Sequence, residues 1–143
     1  MSVKEMFVLK LRKIVFLITV SVMLLFSVAA NAVEVTPYLK IARDYEASAI
    51  KARKNWVGKT ICIEAEVYRA DVNDKGDAVV WVAREDKPNS LIGVTYFFFF
   101  EGIPDEVTEI ETGDTVKISG KVFDLQTNKN MLIVRSVSSH IVE

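Results

Sequence analysis

Few residues in this chain could carry chemistry. There is one histidine, His140, and one cysteine, Cys62. His140 lies close to the C-terminus with no motif around it, which fits a surface residue better than a general base. Cys62 stands between Ile61 and Ile63 on the opposite parity of an alternating run and has no second cysteine to pair with. A small packed residue is the simplest account of it. One Cys and one His cannot build a tetrahedral metal cage. Asp71-Val72-Asn73-Asp74-Lys75-Gly76-Asp77 is rich in oxygen but lacks the spacing and closing Glu of an EF-hand, and reads as a turn. No nucleophile elbow or phosphate-binding glycine loop is present. The expectation is a protein that is not an enzyme and uses no cofactor and no metal. What remains is a set of aromatic and basic residues, Tyr68, Lys75, Trp81, Arg84, Lys87, Tyr96, Lys129 and Arg135. If the fold brings them together, they could stack and bind a sugar or a nucleobase.

The start of the chain says where it goes. Lys4, Lys10, Arg12 and Lys13 precede an apolar run from Ile14 to Phe26, and Ala30-Asn31-Ala32 follows with small-residue cleavage spacing. Residues 1–32 therefore read as a signal peptide cleaved before Val33, with Met6 as an alternative start, and residues 33–143 as one exported domain. An uncleaved membrane anchor is the competing reading. No Cys stands at the cleavage point, as a lipoprotein requires. The expected location is periplasmic or secreted. Without the four basic and one acidic residue of the leader, 18 Lys and Arg against 19 Asp and Glu become 14 against 18, a charge of −4. That balance argues against nucleic acid as a general partner, because polyanion binding draws on many unpaired cations. A protein or envelope component is the partner expected instead, with no stable membrane span after cleavage.

The elements that must position these residues follow from periodicity. Thr36-Pro37 has the form of a helix start, and Tyr38, Ile41, Ala42, Tyr45, Ala49 and Ala52 give one apolar stripe over about 36–55. Gly58 is the expected stop. From Thr60 the period becomes two, with Ile61, Ile63, Ala65 and Val67 on one side. The polar turn at 73–77 returns the chain as a second strand, Ala78–Ala83. A loop over 84–90 leads to a third strand, Ile92–Phe100, ending in four consecutive Phe residues. Rings on both faces mean that one face meets the core and the other a covering helix, a loop or a partner. Pro104 to Glu111 reads as a short helix rich in acids. Thr115–Phe123 and Met131–Val137 are the fourth and fifth strands. The order predicts an all-β fold with accessory helices: a five-stranded OB-fold-like Greek-key barrel, with one helix before the first strand and a short one between the third and fourth. Gly120 fits a sharp bend in the fourth strand.

Tyr45-x2-Ser48-x3-Ala52-x3-Trp56-x-Gly58-Lys59 resembles the opening of the tRNA_anti-like family of exported OB-fold proteins. Thr112-Gly113-Asp114-x-Val116-x-Ile118-x-Gly120-x-Val122 is similar to a later stretch of that family. Ser48 stands where the family usually has Asn, Trp56 where it usually has Tyr, and the family's C-terminal Cys is absent. Ser can still serve as a cap. The resemblance implies the fold. It implies no tRNA binding and no assigned activity.

On such a barrel, ligands meet the face of the second and third strands and the loops joining strands one–two and four–five. The eight aromatic and basic positions are expected there. Trp81 shares parity with Val79, however, so a core-facing Trp81 is the plainer expectation. Two functions are compatible: an exported, non-catalytic module contacting a protein or envelope component, or an oligosaccharide- or oligonucleotide-binding barrel.

Overall fold

The computed structural model describes residues 2–15, 33–83 and 93–143. The chain divides into two units, Met1–Val33 and Glu34–Glu143. In the first, residues 3–15 are helical. No helix among the described residues is long and apolar enough to cross a membrane. The cleavage site expected at 30–32 lies outside the described residues.

In the second unit, the expected single helix is two. α1 (Lys40–Ala47) and α2 (Ala49–Trp56) are separated by Ser48, whose backbone is extended. Ser48 Oγ accepts from Lys51 N–H at 3.3 Å, so a hydroxyl that competes for backbone donors restarts the helix instead of continuing it. Thr36-Pro37 does not open α1. Thr36 is spent on the first strand: its N–H donates to Cys62 O at 2.7 Å and its Oγ1 accepts from Cys62 N–H. Ile41, Ala42 and Ala52 are buried in the common core. Burying a side chain the size of Ile41 contributes about 1.5–3 kcal/mol. Asp44 accepts from Trp56 Nε1 at 2.9 Å and ties the two helices together. Gly58, at φ +90, turns the chain out of α2 and donates to Val122 O at 2.7 Å.

Five strands follow: β1 (Thr60–Val72), β2 (Ala78–Ala83), β3 (Gly93–Phe99), β4 (Thr115–Asn128) and β5 (Met131–Ile141). α3 (Asp105–Thr108) lies between β3 and β4, as expected. The strands close a barrel in the order β1-β2-β3-β5-β4, all pairs antiparallel except β3 with β5. This is an OB-like all-β fold. β1 serves two neighbours in turn, pairing Thr60–Glu66 with β4 and Glu66–Val72 with β2. β5 runs past the expected Val137 to Ile141 through Ser138, at φ 52.

The barrel interior holds Ile61, Ile63, Val67, Val80, Val82, Tyr96, Phe98, Ile118, Val122, Leu125, Leu132 and Val134, all essentially buried. Tyr96 O–H donates to Tyr38 O, and Tyr38 O–H donates to Val94 O at 2.7 Å. The segment before α1 is thereby latched to β3. Gly120 is buried where β4 and β5 lose register. Cys62 is buried at the edge of β1 that Thr36 covers.

Candidate functional site: an aromatic row on the outer face

Two β-bulges decide what lies on the outside of the barrel. In β1 the register shifts between Val67 and Arg69, leaving Tyr68 as the extra residue. In β4 it shifts between Val122 and Asp124, leaving Phe123 extra. A bulge moves the residue after it to the face that strict alternation denies it. Arg69 and Asp124 therefore join the outer face, although alternation would send them inward with Val67 and Val122.

The result is one continuous cross-strand row. Arg69 pairs with Trp81, Trp81 with Phe97, Phe97 with Arg135, and Arg135 with Asp124. Trp81 and Phe97 rings lie 4.5 Å apart between centroids. Tyr68, 66% exposed, holds its ring within 4° of parallel to Trp81 at 6.4 Å. The Arg69 guanidinium sits 5.6 Å from the Trp81 ring centroid, a cation–π arrangement. Phe99 meets Phe123 edge to face at 5.9 Å. Between these groups is a depression of about 250 Å³ lined by Val79, Trp81, Phe97 and Phe99, with Asp71 and Arg135 among its polar groups. The charges around it come in pairs: Arg69 with Asp71 at 2.7 Å, and Arg135 with Asp124 at 3.8 Å.

Of the positions expected from sequence, Tyr68, Trp81 and Arg135 are brought together here. Trp81 faces outward, half-buried, which corrects the expectation that it points into the core beside Val79. Val79 shares that outer face and is covered there. Tyr96 is corrected the other way. It is 0% exposed inside the barrel, because its register partners Val82 and Val134 both point inward. Burial and the neighbouring Tyr38 hold its phenol well above the usual tyrosine range. Lys75 and Lys129 stand exposed at the β1–β2 and β4–β5 turns, outside the row. Arg84 and Lys87 lie outside the described residues. The row also contains Arg69, Phe97 and Asp124, which the aromatic-and-basic selection omitted. Phe97 was visible as part of the phenylalanine run; the other two depend on the bulges. That run splits as expected on one side, with Phe98 and Phe100 in the core. Its outer members are flanked by Trp81 of β2 and Phe123 of β4 rather than by a helix.

Conventional catalytic geometry is not visible among the described residues. His140 is exposed on β5 opposite Ser119, while burial pushes the Cys62 thiol up from its ordinary value. No group of three or more His, Cys, Asp or Glu among the described residues could hold a metal ion.

No family model and no curated protein matches the chain, so the tRNA_anti-like resemblance rests on the residues quoted above. One solved structure, described as a "putative nucleic acid-binding lipoprotein" from Klebsiella pneumoniae, is similar in fold. Its TM-score is 0.56 at 17% identity, covering 82% of this chain and 96% of that one.

Proposed function

We propose that this protein is an exported, non-catalytic binding module that holds an envelope component on the outer face of β1, β2, β3 and β5. One observation carries the reading: the row Arg69–Trp81–Phe97–Arg135, with Tyr68 beside it, lies on the face where OB barrels take ligands. Large rings left half-exposed in a continuous strip mark an interaction surface. The leader read from the sequence supplies the location. The fold neighbour's description is compatible with a binding role.

The test is tryptophan fluorescence in a Trp56→Phe background, which leaves Trp81 as the reporter. Soluble envelope oligosaccharides and single-stranded oligonucleotides are titrated in turn. A saturable change that Phe97→Ala removes supports the reading, and a flat response throughout overturns it. A protein partner is the second reading, favoured by Phe123, which is 44% exposed beside Phe99. Crosslinking through a photoreactive residue at position 123 would report it.

A further inference from the structure

We infer that the ligand of this face is an uncharged saccharide, selected by Asp71 and Asp124; the inference rests on the binding-module reading above. Both guanidiniums of the row already have a carboxylate beside them, Arg69 with Asp71 at 2.7 Å and Arg135 with Asp124 at 3.8 Å. Across those four groups the charge is zero. A polyanion gains affinity by neutralising its phosphates against cations and releasing counterions. Here each phosphate would have to bind an arginine whose charge a neighbouring carboxylate already offsets, and would be repelled by that carboxylate.

A sugar makes opposite use of the same groups. Its hydroxyls donate as well as accept, so they can use carboxylate oxygens and guanidinium N–H groups side by side. The Arg135–Asp124 separation of 3.8 Å is an ion pair too long for a hydrogen bond. Both groups therefore keep hydrogen-bonding capacity for a third partner. The rings of Tyr68 and Trp81, stacked within 4° of parallel with centroids 6.4 Å apart, offer exposed aromatic surface for the apolar face of a pyranose ring, Tyr68 being 66% exposed. The depression of about 250 Å³ is smaller than the roughly 300–1,000 Å³ typical of drug-sized ligands. It suits a single ring of a longer chain running over the face.

The experiment is isothermal titration calorimetry of the protein with chitotetraose, cellotetraose, maltotetraose and a short oligothymidylate, each at low and moderate salt. The inference expects one neutral oligosaccharide to bind with an affinity indifferent to salt. Trp81→Ala should weaken that binding by about tenfold or more. Asp124→Asn and Asp71→Asn should each weaken it about threefold to tenfold. They should also let oligothymidylate bind in a salt-dependent way. Circular dichroism of each variant separates loss of binding from loss of fold. If the wild type instead prefers oligothymidylate, with steep salt dependence and loss in Trp81→Ala, the saccharide assignment is overturned while the face stands. If none of the four probes binds, the saccharide assignment fails. A flat response in the broader fluorescence titration would then bring down the face as well. If the two Asn variants bind like wild type, the carboxylates do not select the ligand.

Discussion

Gly120→Ala tests how closely β4 passes β5 inside the barrel. A Cβ at Gly120 would lie 2.9 Å from Ser136 Cβ, 2.9 Å from Ser139 Oγ and 3.1 Å from Phe98 Cδ1. Ser139 Oγ can swing away by rotating χ1. Ser136 Cβ cannot, because it is fixed to the β5 backbone, and Phe98 is wholly buried. The extra methyl must therefore be accommodated by moving a strand or a core ring. Overpacking of this kind costs about 1–3 kcal/mol. For a domain of this size that lowers Tm by about 4–12 °C. The cost is steric, since Gly120 does not occupy a left-handed conformation. Thermal and urea unfolding followed by circular dichroism measure it. Adding Ser139→Ala to the variant should recover only a small part of the loss, and Ser136→Gly a larger part. A Tm within about 1 °C of wild type would refute the close approach and place the bend in β4 elsewhere.

Other consequences can be checked in the same way. Tyr96→Phe removes the donor to Tyr38 O and should cost about 1–2 kcal/mol in urea unfolding; an unchanged midpoint would mean that the latch contributes nothing. Burial by itself would raise the Asp44 carboxyl, but hydrogen bonds from Lys40 and Trp56 and the Lys40 charge hold it below its ordinary value. A carboxyl depressed in the folded state stabilises above its unfolded pKa, and that increment disappears as pH falls through the folded value. Wild type should thus lose more stability than Asp44→Asn between about pH 5 and pH 2; equal losses would count against the linkage. Cys62, buried and with its thiol pushed up, should react with a thiol reagent only at the rate of unfolding. Labelling of the native protein within the mixing time would contradict its burial.

Much of the barrel was legible because its strands obey simple alternation where they are regular. Ile61 to Val67 announced the inner face of β1, and the turn at 73–77 announced the hairpin. Where local chemistry broke a pattern, the sequence misled. Ser48 interrupts an apolar stripe that continues across it, so periodicity alone joined two helices into one. Tyr96 to Phe100 are aromatic at every position, so alternation could not say which rings face out. The register with Val82 and Val134 decided that Tyr96 is core and Phe97 is surface. Arg69 and Asp124 were invisible for a different reason: a bulge leaves no mark in a hydrophobic pattern when the inserted residue, Tyr68 or Phe123, is itself aromatic.

Those two bulges also explain why the row sits where it does. β1 passes from β4 to β2 at Glu66, which pairs with both Thr115 and Ala83. Its bulge follows two residues later. β4 stops pairing with β1 at Lys121, and its bulge likewise follows two residues later, at Phe123. A strand that changes neighbours while closing a barrel must coil sharply, and an extra residue supplies the added twist. Closure thus places an aromatic residue and then a charged residue on the outer face at each side of β2, β3 and β5: Tyr68 with Arg69, and Phe123 with Asp124. The positions are fixed by the geometry of closure. The charged side chains are not, because they project from the barrel without filling its core. Changes at Arg69 and Asp124 can therefore alter the proposed binding face at little cost to stability, whereas changes at Gly120 or Tyr96 cannot.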